Sequence, residues 1–235
     1  IHKYQSRALL IVTKACAIHC RYCFRRHFPY EDNQPSRAMW KEALNYLQQH
    51  TEINEVIYSG GDPLASSNGQ LNWLSQKVAA IPHIKTLRIH TRLPVVLPQR
   101  IDTALLEILQ QWPGKTVVVI HSNHANELDE SVKIAIDKLK SVGVTVLNQT
   151  VLLRGINDSA TALVELSERL FEIGVLPYYL HLLDTVSGAA HFAISDTQAK
   201  VIMGEVTARL PGYLVPKLVR EEADKASKTP ILPTL

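Results

Sequence analysis

The chain alternates between two apolar patterns. Short runs rich in β-branched residues occupy positions 8–12, 56–58, 87–89, 117–120, 144–147 and 175–180. They are nearly continuous rather than interleaved with polar residues, as expected of parallel strands buried on both faces. Helical periods fill the gaps. Val132, Ile136, Leu139 and Val142 fall at i, i+4, i+7 and i+10, with Asp129 placed to cap the start and Gly143 to end it. Leu163, Leu166, Leu170 and Ile173 repeat that logic ahead of Gly174. Ser36 can cap a helix reaching Gln49, and residues 70–80 and 102–112 supply two more. Six β-α units in a row predict an α/β fold with an all-parallel sheet, either open and doubly wound or curved into a partial barrel. In both, ligands sit at the C-terminal ends of the strands, so the segments after each strand are where chemistry is sought.

Composition narrows the class. The 235 residues are 46% hydrophobic and 20% charged, which fits a packed domain and not a disordered chain. Lys+Arg 25 against Asp+Glu 22 leaves +3, too small and scattered an excess to argue for nucleic acid. No apolar run approaches the roughly 18–20 residues of a membrane span and no secretory signal opens the chain, so a cytoplasmic protein off the membrane is expected. Strand-like sequence starts within ten residues of Ile1, and a further segment ahead of Ile1 is expected. The three cysteines all lie between residues 16 and 23, and an odd count excludes a closed disulfide framework.

Cys16, Cys20 and Cys23 form Cys-x-x-x-Cys-x-x-Cys directly after the first run. The short spacers curl the chain so that three thiolates can surround one centre. Structural zinc wants four ligands, and only His19 or His27 could complete such a set, at unfamiliar spacing. An iron–sulfur cube normally takes four cysteines, so three leave one iron open to an outside ligand. Three buried cysteines without a metal are the remaining reading. Ser59-Gly60-Gly61-Asp62-Pro63 follows the second run. Its glycines let backbone approach a ligand closely, although such a segment by itself reads first as a plain strand-to-helix turn. His121 ends the fourth run and Asn148-Gln149 the fifth, positions expected to face the mouth of the sheet. His121 and His124 do not make a convincing metal pair, because residues three apart on a strand face opposite ways.

With Tyr22 just before the last cysteine, the cluster resembles the signature of radical S-adenosylmethionine enzymes. That resemblance implies a partial (β/α)6 TIM-like barrel, a [4Fe-4S] cluster on Cys16, Cys20 and Cys23 within a loop at 14–27, and S-adenosylmethionine on the open iron. It assigns S-adenosylmethionine contacts to Tyr22, Gly60, Gly61, Asp62, His121 and Gln149. Longer stretches narrow the match. RIHTRLPVVLPQRI at 88–101, NQTVLLRGIND at 148–158, PYYLHLLD at 177–184, CRYCFRR at 20–26 and Lys228-Thr229-Pro230 resemble lysine 2,3-aminomutases. HKYQSRALL at 2–10, RRHFPY at 25–30 and GYLVPKLV at 212–219 are most similar to the subfamily that supplies (R)-β-lysine for modification of translation elongation factor P.

This closer resemblance implies pyridoxal 5′-phosphate carried by Lys228 on a C-terminal extension, residues 211–235, that follows a barrel over 1–210. Lys225 is the rival anchor, and residues 223–227 lack the glycine run usual before this lysine. Lys3, Tyr4 and Arg7 match the phosphate-binding residues, with Lys3 where arginine is more usual. Arg25 matches the partner of the substrate carboxylate. Asp184 and Glu221 match the two acids that hold the substrate ammonium, with Glu for Asp at 221, and His181 replaces a tyrosine. Read alone, the lysines and Arg7 would be solvated charges, and Arg25, Asp184 and Glu221 surface ion-pair partners. The implied reaction converts L-lysine to β-lysine by a 5′-deoxyadenosyl radical and a pyridoxal-assisted 1,2-amino shift. A one-electron donor protein such as flavodoxin, a functional link to elongation factor P and its lysyl-type ligase, and a homo-oligomer are compatible partners. A free β-lysine enzyme of catabolism or osmolyte synthesis is the nearest alternative, and the acid pair argues against a glutamate aminomutase. A non-catalytic iron–sulfur module is the alternative from another class.

Overall fold

The computed structural model describes residues 1–25, 37–222 and 225–234, so Ser36 and His27 lie outside the described residues. Strands β1 (Arg7–Thr13), β2 (Glu55–Gly60), β3 (Thr86–Thr91), β4 (Lys115–His121), β5 (Thr145–Val151), β6 (Leu176–His181) and β7 (Lys217–Arg220) pair in chain order, every pair parallel. A two-residue strand, β8 (Thr229–Pro230), closes the order antiparallel to β7. The helices are α1 (Arg37–Gln49), α2 (Asn68–Ala79), a single turn α3 (Leu93–Val96), α4 (Thr103–Gln110), α5 (Glu130–Ser141), α6 (Ala160–Glu172) and α7 (Asp196–Arg209). No helix among the described residues is long and apolar enough to cross a membrane.

Local sequence accounts for the helix starts. Asp129 accepts a hydrogen bond from Val132 N (3.0 Å) as the cap of α5, and Ser67, Asp102 and Ser159 cap α2, α4 and α6 in the same way. Helix α7 went unread in the sequence. Its apolar residues do not gather on one stripe, and its start is marked only by the Ser195/Gln198 capping box. The sheet also runs beyond six strands, since residues 211–235 contribute β7 and β8 to it. Four residues are too short a run for periodicity to register β7.

The expectation of strands buried on both faces holds for β2 and for Val118–Ile120 of β4, and needs correction elsewhere. β1, β3 and β5 alternate fully buried residues with half-buried ones. Ala8, Leu10 and Val12 pack in the apolar core that Trp40, Leu44 and Leu47 of α1 share. The alternate positions form the other, concave face, which carries Arg7, Arg88, His90, His121, Gln149 and His181 in register-neighbouring rows. A second core joins Leu163 and Val164 of α6, Met203 and Val206 of α7, and Leu180 and Leu218 of β6 and β7. Burial is thus concentrated between sheet and helices, while the concave face stays polar enough to receive a ligand.

β2 ends against the segment that follows β1. Gly61 N donates to Thr13 O (2.7 Å) and Asp62 N to Ala15 O (2.8 Å). A Cβ on Gly60 would lie 2.4 Å from Thr13 O, and one on Gly61 would lie 2.3 Å from Ala15 O. Gly60 also has φ +125°, a conformation that side chains rarely adopt. The close approach that the glycines permit is therefore to the protein's own cysteine-bearing loop. Gly61→Ala should lower stability by roughly 1–3 kcal/mol because backbone must shift. Gly69→Ala in α2, where nothing lies within 4 Å, should raise it by about 0.5–1 kcal/mol. Denaturant titration of the two variants checks the pair; equal midpoints would contradict the steric reading.

Candidate active site

At the C-terminal ends of the strands, the loop after β1 brings Cys16, Cys20 and Cys23 together as free thiols. Partial burial pushes the Cys16 thiol up to about 11, helped by the negative charge of Asp62, Cys23 and Cys20 and opposed by Arg25. Arg92, just past β3, donates to Cys20 Sγ (3.0 Å), to Tyr22 Oη (2.8 Å) and, through its other terminal nitrogen, to Glu127 Oε2 (2.7 Å). Asp62 fixes this turn: its carboxylate accepts from Thr91 Oγ1 (2.6 Å), Arg92 N (2.7 Å) and Leu64 N (3.1 Å). Burial raises its pKa, and those donors oppose the rise.

Tyr22 Oη also accepts from Asn123 Nδ2 (2.6 Å) and lies 2.9 Å from His121 Nε2. With two donors already aimed at the oxygen, its own proton goes to His121 Nε2. His121 is accordingly neutral, with burial first and then the Arg92 charge holding its pKa down to about 3. Gln149 follows His121 across the ladder on the concave face. Asn148 does not face the mouth as expected. It is buried and stitches β5 to β4, accepting from Ser122 N (2.9 Å) and donating to Ser122 O (3.1 Å). Adjacent strand residues face opposite ways, so Asn148 and Gln149 cannot share one face. His124 accepts from Asn126 N in a local cap and forms no pair with His121.

Arg25 donates to Ser59 Oγ and Gly60 O (both 2.6 Å), which joins the cysteine loop to the end of β2. Around the other side of the mouth, Lys228 Nζ and Lys3 Nζ bind the two oxygens of Glu221, each at 2.5 Å. Lys3 also donates to Glu222 O (2.8 Å). Burial pushes the Glu221 carboxyl up, but the two lysines outweigh it and hold its pKa below the usual value. Burial and then the Glu221 charge raise that of Asp184, with Lys228 opposing. His181 is held down to about 4 by burial and then by Lys228. Lys228 also stands 5.8 Å from the centre of the Tyr179 ring, and Arg7 lies over Tyr4 at 3.9 Å. Lys225, by contrast, is exposed.

A family model described as the radical SAM superfamily matches residues 10–166. L-lysine 2,3-aminomutase of Escherichia coli (strain K12) is 54% identical over 98% of this chain and 68% of its own length. The enzyme of the same name from Haemophilus influenzae is 52% identical over 97% and 68%. The chain belongs to the radical SAM superfamily, among its lysine 2,3-aminomutases. More distant members include that of Clostridium subterminale, 36% identical over 99% of this chain and 56% of its own length. In fold, the chain is similar to native anSMEcpe with bound AdoMet and the Cp18Cys peptide, at TM-score 0.65 and 13% identity, covering 86% of this chain and 59% of the other.

Radical SAM membership implies a [4Fe-4S] cluster with S-adenosylmethionine, and the aminomutases add pyridoxal phosphate. The residues here fit. Cys16, Cys20 and Cys23 are free thiols on one loop, close enough that Cys20 and Cys23 act on Cys16 electrostatically, and they are the soft donors a cluster takes. Among the described residues, the His/Cys/Asp/Glu trio whose ligand atoms all lie within 4.8 Å of one another is His2, His50 and Glu52, where α1 ends. The inward-turned Lys228 and the cationic Lys3 and Arg7 suit a phosphorylated aldehyde.

Sequence reasoning missed Arg92, Asn123, Glu127 and Asn157, which brace the candidate site through Cys20 and Tyr22 or through one another. Asn157 is fully buried, donating to Asn123 O and Val151 O and accepting from Leu153 N. All four fall in segments that follow strands, which is the signal that could have found them.

The depressed histidines carry a pH consequence. Above about pH 6.5 an unfolded histidine is neutral, as His121 and His181 are when folded, so neither changes stability there. Below it the unfolded chain takes protons that the folded chain refuses, and stability is lost as pH falls toward 4. At pH 5 each should cost about 2 kcal/mol. Urea midpoints of the wild type and His181→Gln between pH 7 and 5 should show a flatter profile for the variant. Parallel profiles would contradict it.

Proposed function

We propose that this chain is a lysine 2,3-aminomutase converting L-α-lysine to (R)-β-lysine. The observation that supports this reading is that Arg25 of the three-thiol loop and Lys228 of the Glu221–Lys3 cluster both act on one buried ring, His90, at the strand ends. When bound, the cluster with S-adenosylmethionine supplies a hydrogen-abstracting 5′-deoxyadenosyl radical, and pyridoxal phosphate spreads the substrate radical over its ring. The chain's own residues bind, orient and shield. Lys228 is the amine that carries the aldehyde and exchanges with the substrate amine. Lys3, Tyr4 and Arg7 receive the phosphate. Arg25 offers a planar fork to the substrate carboxylate. Glu221 and Asp184 offer two carboxylates to the far ammonium, a charge arrangement that selects lysine over an acidic side chain. Tyr22, Gly60, Gly61, His121 and Gln149 line the S-adenosylmethionine side, while Asp62 holds that side in shape through Thr91 and Arg92.

The similarity of residues 2–10 and 212–219 to the elongation factor P subfamily supports a role in supplying β-lysine for that modification, in the cytoplasm, with electrons from a flavodoxin-like protein. No nucleic-acid contact is needed for it. Anaerobic loading with iron, sulfide, S-adenosylmethionine and pyridoxal phosphate, followed by chiral analysis of product from L-lysine, tests the reading. The expected product is (R)-β-lysine, with at least 100-fold loss in Cys20→Ala and Lys228→Ala and little change in Lys225→Ala. (S)-β-lysine would reassign the chain to the free β-lysine branch. A fully loaded chain yielding no β-lysine would sink the proposal.

A further inference from the structure

Among the described residues, five buried side-chain atoms lack a hydrogen-bond partner: Trp40 Nε1, Ser66 Oγ, His90 Nε2, Arg92 Nε and Trp112 Nε1. The two tryptophans belong to the apolar core between helices and sheet. Arg92 already bonds through its terminal nitrogens, and Ser66 ends a 3-10 turn. His90 differs because it is the last residue that β3 turns to the concave face, at the C-terminal end of the strand. Its flanking residues Ile89 and Thr91 are buried toward the helices, and its partner across the ladder is Val119. Nothing in its own row answers the ring nitrogen, and a buried polar atom left unanswered is costly.

The charges around His90 indicate what it awaits. Burial first, and then the Arg88, Arg25 and Lys228 cations, keep the imidazole neutral. The acids beside these cations are engaged: Glu55 accepts from Arg88 Nε at Oε1 (3.0 Å) and from Arg88 Nη2 at Oε2 (2.6 Å), and Glu221 is held by Lys3 and Lys228. With the single N–H of the neutral ring placed on Nε2, the pocket gains a donor without a further positive charge to desolvate. An anionic oxygen is the complementary group.

We propose that His90 is a ligand-binding residue whose Nε2 donates a hydrogen bond to an anionic oxygen of the bound lysine–pyridoxal pair. The inference rests on the aminomutase reading and adds to that site a contact carried by β3. Two oxygens share this chemistry, the substrate carboxylate beside Arg25 and the ring phenolate beside the Lys228 linkage.

The test compares wild type, His90→Gln and His90→Leu in the anaerobically loaded enzyme. Glutamine restores a donor near the Nε2 position, and leucine fills the space without one. Pyridoxal phosphate is titrated first and its visible absorption band followed, then L-lysine is added; circular dichroism checks the fold. Phenolate contact predicts a shifted band, or pyridoxal binding at least 10-fold weaker, in His90→Leu before lysine is added. Carboxylate contact predicts an unchanged band and lysine binding at least 10-fold weaker. Either result, with His90→Gln close to wild type, supports the proposal. Indistinguishable binding and spectra in wild type and His90→Leu would overturn it and leave His90 a packing residue. Failure of the wild type itself to bind pyridoxal phosphate would overturn the aminomutase reading and this proposal with it.

Discussion

The contact between Gly60-Gly61 and Thr13–Ala15 is the constraint on which the mouth depends. Two backbone hydrogen bonds join the end of β2 to the start of the cysteine loop, with no room for a Cβ on either glycine. The next residue, Asp62, spends its carboxylate on Thr91 and Arg92, and Arg92 reaches Cys20 and Tyr22. Tyr22 hands the constraint to His121 and Asn123 on the far side of β4. A chain of named contacts thus runs from β1 through β4 and sets the cysteine loop on the strand ends. Rigid placement of this kind is what a site handling reactive species requires, since solvent and misaligned groups must be kept from it.

The opposite half of the mouth is organised by charge. One carboxylate, Glu221, holds two ammonium groups that come from opposite ends of the chain, Lys3 before β1 and Lys228 beside β8. Neither lysine has a sequence neighbour that would predict this, and each reads alone as a solvated charge. Arg88 and Glu55 make a comparable pair deeper on the concave face. Arg88–Glu55 is the more buried, and leaving one member of such a pair unmatched is far costlier than the pair is stabilising; the half-exposed Glu221 pairs are freer to exchange partners with a ligand of matching charge.

Sequence made the parallel strands, the capped helices and the cysteine loop readable because each is a local signal. Asp129 and the Cys16-Cys20-Cys23 spacing act within a few residues of themselves. The polar residues Arg7, Arg88 and His90 of the concave face were not read as such, because the runs at 8–12 and 87–89 end just short of them or enclose them. The roles of Arg92, Asn123 and Asn157 depend on residues from 28 to 101 positions away. No period or spacing encodes such distances. Glu221 was legible only through resemblance to the aminomutases, for the same reason.

The central claim is that the S-adenosylmethionine side and the lysine side share one mouth. Incubating the anaerobically loaded enzyme with L-lysine deuterated at the β-carbon, then weighing the recovered 5′-deoxyadenosine, tests it most directly. Direct hydrogen transfer between the two sides puts deuterium into 5′-deoxyadenosine and leaves label at the α-carbon of β-lysine. Formation of 5′-deoxyadenosine that stays free of deuterium while lysine is present would contradict a shared mouth.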